Sequence, residues 1–151
     1  MAVSASPDEE RLDRNWGELL QELRVTQTGV RILTGFLLTI PFSTRFDSLD
    51  DLQRTIYLCV LSGSMLATAL LVAPVVYHRI LFRRHERVWL VAAGNRAAKA
   101  GMVALAATVC GVMWLVFDVV VGRTAGVVAL CVSSASFVVL WWLVPLVLRR
   151  R

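Results

Sequence analysis

Three long apolar runs constrain this sequence more than any other feature. They cover residues 56–77, 101–121 and 125–148, and Asp118 is the only charged side chain within them. A helix needs about 20 apolar residues to cross the hydrocarbon core of a bilayer. Hydrophobic residues make up 57% of the chain and charged residues only 18%, a balance unlike that of soluble domains. The sequence therefore predicts a membrane protein with at least three spans.

Residues 23–42 form a further, less apolar candidate span. It contains Arg24, Gln27 and Arg31, and Pro41 marks its end. Insertion of a central Arg costs roughly 2.5–3.5 kcal/mol, whereas the Leu, Ile, Phe and Val side chains of 25–42 together favour insertion by about 3–5 kcal/mol. We therefore expect this span to be marginal alone and to depend on packing against the other helices.

The polar residues of the first helix share one face. At about 100° per residue they form a stripe, opposite a face that contains Leu23, Val30 and Leu37. The stripe comprises Gly17, Gln21, Arg24, Thr28, Arg31, Gly35 and Thr39. We expect it to face partner helices or a hydrated crevice. Two roles remain open for its arginines, namely structural positioning or contact with lipid phosphates by snorkelling, and transport or ligand binding together with Gln27.

Asp118 is the only acid within the three apolar runs, which makes it a candidate functional residue. It falls in the last turn of the third helix, where the helix dipole disfavours a carboxylate. We expect a salt bridge near that end of the helix, with Arg123 one turn away and Arg45 and Arg54 nearby. Binding of a proton or cation is the alternative. Arg31 is an unsuitable partner, because it lies roughly 15 Å away in depth.

The distribution of basic residues predicts the orientation, because cytoplasmic flanks are rich in Lys and Arg. One side has only Arg45, Arg54 and Arg123. The other side has Arg11, Arg14, Arg24, Arg79, Arg83, Arg84, Arg87, Arg96, Lys99, Arg149, Arg150 and Arg151. We therefore predict an all-α, four-helix transmembrane bundle with both termini in the cytoplasm and helix 1 extended into the cytoplasm.

The predicted domain organisation is simple. Residues 1–10 form a flexible cytoplasmic tail, and 11–151 form one membrane domain with spans at about 23–42, 55–77, 100–122 and 125–148. Ser48 and Asp51 have the spacing of a capping box, which predicts that the second helix begins near Leu49. Small residues at Gly101, Ala104, Thr108 and Gly111 predict a seam for close helix packing. Gly122 lies between the last two spans and predicts a tight turn that makes them antiparallel neighbours.

The basic clusters beside the spans indicate contact with anionic lipid headgroups rather than with nucleic acid. The residues assigned to this contact are Arg79, Arg83, Arg84, Arg87, Arg149, Arg150 and Arg151. Cys59, Cys110 and Cys131 form no metal-ligand spacing, and His78 and His85 are too far apart along a helix for one ion. We expect no metal, no cofactor and no enzymatic activity.

Four segments together resemble a known family: RNWGELLQELRVTQTGVRILTGFLLTIPF, DLQRTIYL, LLVAPVVYHRILFRR and LVFDVV. The chain is similar to a family of small actinobacterial membrane proteins that have four predicted spans and no established function. Some members carry an automatically assigned sodium:proton antiporter label. The resemblance covers roughly residues 14–122 and implies a location in the bacterial cytoplasmic membrane, but it implies no catalytic or binding residues.

The function predicted from these features is non-enzymatic. Small-residue seams, a marginal first span and a cytoplasmic extension of helix 1 are typical of a protein that works through helix contacts, as a homo-oligomer or as an accessory subunit of an envelope complex. The alternative is a small cation or proton transporter in which Asp118 is the protonatable site.

Overall fold

The structure is a computed structural model that describes the backbone of residues 7–81 and 87–149, and the side chains of residues 21, 23–77, 79 and 92–149. The described part is helical. Its long helices are α1 (Pro7–Thr39), α2 (Asp51–Leu81), α3 (Arg87–Val120) and α4 (Arg123–Val138). A π-helical segment (Val139–Leu143) and α5 (Val144–Leu148) continue α4 without a break. Two short 3-10 helices, Ile40–Phe42 and Phe46–Ser48, connect α1 to α2.

The first helix begins earlier than the sequence predicted. Pro7 is its first residue, so residues 7–10, assigned to a flexible tail, are helical. Proline suits the first helical position, where its missing N–H costs no hydrogen bond. Residues 1–6 of the predicted tail lie outside the described residues.

The start of α2 also differs from the prediction. Asp50 is the capping residue: its Oδ1 accepts a hydrogen bond from the Gln53 backbone N–H at 2.7 Å, and its own N–H donates to Gln53 Oε1 at 2.9 Å. This reciprocal pair is a capping box. The predicted Ser48–Asp51 box is wrong, because the Ser48 hydroxyl donates instead to the Arg45 carbonyl at 2.7 Å.

A single glycine makes the tight turn between α3 and α4. Gly122 has φ 127° and ψ 173°, a conformation that side chains with a Cβ rarely adopt. The sequence prediction of glycine at this turn is confirmed, and the turn makes α3 and α4 antiparallel neighbours.

The four long helices form an open bundle in which each helix packs on the next. Within the part of the chain that the structure describes, α1 packs on α2, α2 on α3 and α3 on α4, whereas α1 and α4 do not meet. We call the end that holds the 43–50 loop and Gly122 the turn end, and the opposite end the terminal end. Residues Leu23, Val30, Ala67, Leu71 and Ala98 form the core near the terminal end, and Leu37, Tyr57, Val60, Trp114 and Leu115 form the core near the turn end.

The seam between α2 and α3 depends on small residues. A Cβ on Gly101 would lie 2.9 Å from Leu71 Cγ, and one on Gly111 would lie 2.5 Å from Val60 Cγ2. Thr108 lies opposite Gly63, where an added Cβ would be 2.7 Å from the Thr108 hydroxyl. The predicted small-residue seam is therefore confirmed at these positions, and it brings the two helices close together.

Candidate functional site

A group of polar residues meets at the turn end, and we call it the turn-end cluster: Asp50, Gln53, Asp118 and Arg123. Asp118 Oδ2 accepts a hydrogen bond from the Gln53 side-chain amide at 2.7 Å. Its Oδ1 lies 3.4 Å from Arg123 Nε, and Arg123 also donates to Asp50 Oδ2 at 2.9 Å. Three helices and the capping residue of α2 are thus joined by polar contacts.

Burial within the turn-end cluster is uneven. The Asp118 side chain is only 2% exposed, whereas those of Arg123 and Asp50 are about half exposed. The Arg123 guanidinium lies 5.3 Å from the centre of the Trp114 ring, a cation–π contact that fixes its position. Asp118 Oδ1 forms no hydrogen bond. Its 3.4 Å contact with Arg123 Nε is an ion pair that lacks hydrogen-bond geometry. The cluster has two carboxylates and one guanidinium.

The predicted salt bridge between Asp118 and Arg123 is confirmed. Arg45 and Arg54 are not its partners: Arg54 instead donates to the Asp47 carbonyl at 3.1 Å and lies over the Phe46 ring. Sequence reasoning missed Gln53. Its signal was the D-x-x-Q spacing of the capping box, which places this side chain at the start of α2.

The polar stripe of α1 faces away from the other helices. The α1 residues buried against the core are Leu23, Val30 and Leu37. The stripe residues whose side chains the structure describes, Gln21, Arg24, Thr28, Arg31, Gly35 and Thr39, are all exposed. The prediction was that the stripe faces partner helices or a hydrated crevice; Arg24 and Arg31 do not face the neighbouring helices of this chain. Helical periodicity shows which residues of α1 share a face, but not which face meets a neighbouring helix.

Gln27 lies at the edge of the inward face and has a structural contact. Its amide donates to the Leu71 carbonyl of α2 at 2.9 Å. Pro74 lies one turn further on in α2 and supplies no N–H to the helix ladder. The carbonyl that loses its helix donor is that of Leu70, four residues before Pro74, and the Gln27 amide binds the adjacent carbonyl. This hydrogen bond also ties α1 to α2.

The residues predicted to contact lipid headgroups are only partly described. Arg79 and Arg149 are exposed and lie at the terminal end. The side chains of Arg83, Arg84, Arg87, Arg150 and Arg151 lie outside the described residues. Among the side chains that are described, no three His, Cys, Asp or Glu residues come together as metal ligands would.

A groove of about 920 Å³ runs between α3 and α4. Arg123 lies at its turn end, Ser133 and Ser136 are part of its wall, and most of the remaining wall is apolar. The two serine hydroxyls donate to carbonyls of their own helix, Ala129 and Val132. The groove therefore presents little free hydrogen-bonding capacity and no pair of groups for acid–base chemistry.

The described residues form an all-helical fold. Three of its helices, α2, α3 and α4 with its continuation, are long and apolar enough to cross a membrane. The chain belongs to the family described as "Family of unknown function (DUF6328)", which matches residues 5–145. No curated protein and no solved structure matches the chain.

Proposed function

We propose that the protein is a non-enzymatic integral membrane protein of the bacterial cytoplasmic membrane that works through helix contacts, as a homo-oligomer or as an accessory subunit of a larger complex. In this proposal four helices cross the bilayer and both termini are cytoplasmic. The observation that carries it is the outward polar stripe of α1, because a charged face exposed to lipid requires a covering partner.

The pairing of α1 with α2 supports the fourth crossing. Gln27 contacts Leu71, and the Tyr57 hydroxyl donates to the Leu37 carbonyl at 2.8 Å. Residues 27–37 of α1 therefore run antiparallel beside 57–71 of α2, which belong to a candidate span. If α2 crosses the bilayer, α1 lies at the same depth.

The open bundle supports assembly with other helices. α4 buries only Gly126 and Ala129, so most of its surface is free. α1 and α4 are the first and last helices in the packing order and, within the described residues, do not contact each other. Each therefore has a face along its length that other chains can approach.

Mass measurement of the protein in native lipid, after gentle extraction, tests the proposal. We expect particles heavier than one 16.8 kDa chain with its lipid. Arg31→Leu removes the central stripe charge and should shift the population toward monomer, whereas Arg45→Leu, an exposed arginine of the 43–50 loop, serves as the matched control. A strictly monomeric, partner-free particle for the unaltered protein would contradict helix-mediated assembly.

The second candidate function is transport of a proton or cation through Asp118. It is favoured by one observation, the buried Oδ1 that lacks a hydrogen bond. In liposomes under an imposed pH or sodium gradient, this function requires flux that Asp118→Asn reduces. Absence of flux, or equal flux in the variant, would remove Asp118 from consideration.

Anionic lipids are the proposed partners of the basic residues at the terminal end, such as Arg79 and Arg149. Binding to phosphatidylglycerol vesicles should exceed binding to phosphatidylcholine vesicles, and the difference should shrink as salt rises.

A further inference from the structure

The outward stripe of α1 contains two arginines without a partner. Among the described residues, the guanidinium groups of Arg24 and Arg31 form no hydrogen bond or ion pair. The Thr28 hydroxyl between them donates to the Arg24 carbonyl at 3.1 Å, so it is already satisfied within α1. The two cations are therefore the charged groups on this face, and the rest of the described chain leaves them unpaired.

The register of α1 on α2 places Arg31 near the middle of the span. At about 1.5 Å per residue, Arg31 lies roughly 6 Å beyond Gln27, and Tyr77 lies roughly 9 Å on the other side of Leu71. Because Gln27 contacts Leu71, Arg31 is roughly 15 Å from the level of Tyr77, where the candidate span of α2 ends. That is about half of a hydrocarbon core of about 30 Å.

The surroundings of Arg31 on α1 are apolar. Val25, Ile32 and Phe36 are 57% to 74% exposed beside the stripe, which is the expected environment of a lipid-facing surface. An Arg at mid-span costs several kcal/mol in lipid and normally pairs with an opposite charge or faces a protein interior. The partner must therefore come from outside this chain's own bundle.

A second copy of the chain lacks a suitable acid. The Asp and Glu residues are at positions 8–22, 47–51, 86 and 118, and those whose backbone the structure describes, at 8–22, 47–51 and 118, lie away from mid-span. Asp118 is buried at the turn end and contacts Gln53 and Arg123. In either orientation, a second copy would offer Arg31 no carboxylate at its own depth among the described residues.

We propose that the stripe of α1 binds a transmembrane helix of a different protein, and that this helix has an Asp or Glu near mid-span that pairs with Arg31. The inference rests on the proposed function and names the chemistry of its partner. Gly35 provides room for close approach, since nothing lies within 4 Å of a Cβ added there. Arg24, two turns away on the same face, binds a second acceptor about 10 Å nearer the terminal end.

A designed helix tests the charge requirement directly. The full-length protein is reconstituted in phosphatidylcholine vesicles with a Leu-rich transmembrane peptide that has one central Asp, and energy transfer reports association. Peptides with Asn or Leu in place of the Asp are the controls. We expect the Asp peptide to associate about tenfold more tightly than the Leu peptide. Equal association of all three peptides would overturn the proposal.

Variants of the protein locate the contact. Arg31→Leu should abolish the preference for the Asp peptide, and Arg31→Lys should keep most of it. Gly35→Ile should weaken association by blocking close approach. Gly29→Ile is its matched control, because Gly29 is also exposed with nothing within 4 Å of an added Cβ but lies off the stripe. A Gly29→Ile effect as large as that of Gly35→Ile would contradict docking on the stripe.

Photo-crosslinking in cells identifies the natural partner. A photoreactive amino acid at position 28 or 35 should capture a peptide of another protein that contains an Asp or Glu within an apolar span. Crosslinks to a second copy of the chain would overturn this inference but leave the proposed helix-contact function standing. Crosslinks to lipid alone would overturn both.

Discussion

Asp118 is a carboxylate placed where two features of the fold disfavour its charge. It is buried, and it lies at the negative end of the α3 dipole. The Gln53 amide and the Arg123 guanidinium offset these costs from two other elements. The stability of the buried Asp118 carboxylate therefore depends on correct packing of α2, α3 and the start of α4.

Replacement of Gln53 by Ala should destabilise the protein by about 1–3 kcal/mol, because it leaves a buried carboxylate oxygen without its donor. Part of this loss of stability comes from the capping hydrogen bond that the Asp50 N–H donates to Gln53 Oε1. A double-mutant cycle with Asp118→Asn, measured by reversible unfolding in mixed micelles, separates the two contributions. Additive losses would show that the contact between Gln53 and Asp118 contributes nothing to stability.

At the same scale, Gly122→Ala should cost about 1–3 kcal/mol, because φ 127° is strained for any residue with a Cβ. Thermal unfolding in nanodiscs measures the effect. Gly29→Ala is the control, since that glycine is helical and has open space around it. A Gly122→Ala protein as stable as the control would mean that the turn adopts another conformation.

At the scale of elements, sequence reasoning succeeded where one physical constraint dominates. Span length and apolar content predicted α2, α3 and α4, and the glycine predicted the turn between the last two. Sequence reasoning did not predict which face of α1 packs on the other helices. Periodicity shows which residues share a face but not which face meets a neighbour. If α1 crosses the bilayer as proposed, Leu23 and Val30 suit the bundle interior as well as they would suit the lipid.

The contact between α3 and α4 depends on Gly126. An added Cβ there would lie 2.9 Å from Asp118 Cβ and 3.1 Å from the Trp114 carbonyl oxygen. Because a backbone atom cannot move aside, Gly126→Ala should push α4 away from α3 and weaken the contact between Asp118 and Arg123. Crosslinking of engineered cysteine pairs across α3 and α4 should fall relative to Gly35→Ala. An unchanged crosslinking yield would contradict close packing at this point.

The docking of α1 on α2 makes a similar prediction for Gln27. Gln27→Leu removes the hydrogen bond to Leu71 and should cost about 0.6 kcal/mol, the average measured for polar contacts between membrane helices, and at most about 1.7 kcal/mol. Protease accessibility of the 43–50 loop should rise as α1 loosens. Gln21→Leu is the control, because Gln21 is exposed on the opposite face, and it should leave the cleavage rate unchanged.

At the scale of the whole molecule, the proposed topology makes a charged residue of α1 unfavourable for the stability of the isolated chain. If α1 crosses the bilayer, replacing Arg31 by Leu exchanges an unfavourable insertion free energy of roughly 3 kcal/mol for a slightly favourable one. Since Arg31 has no partner among the described residues of its own chain, no contact seen there offsets that gain. The same change removes the charge on which the proposed partner helix depends.

Arg31→Leu should therefore raise the insertion efficiency and thermal stability of the purified chain while it reduces the recovery of its partner from native membranes. Insertion is measured by glycosylation mapping of α1 in the full-length chain, and stability by unfolding in nanodiscs. Arg24→Leu should gain less, because Arg24 lies nearer the terminal end, where snorkelling already relieves its cost. A loss of stability in purified Arg31→Leu would mean that the guanidinium is bound within its own chain, and the outward stripe would then be the wrong description of α1.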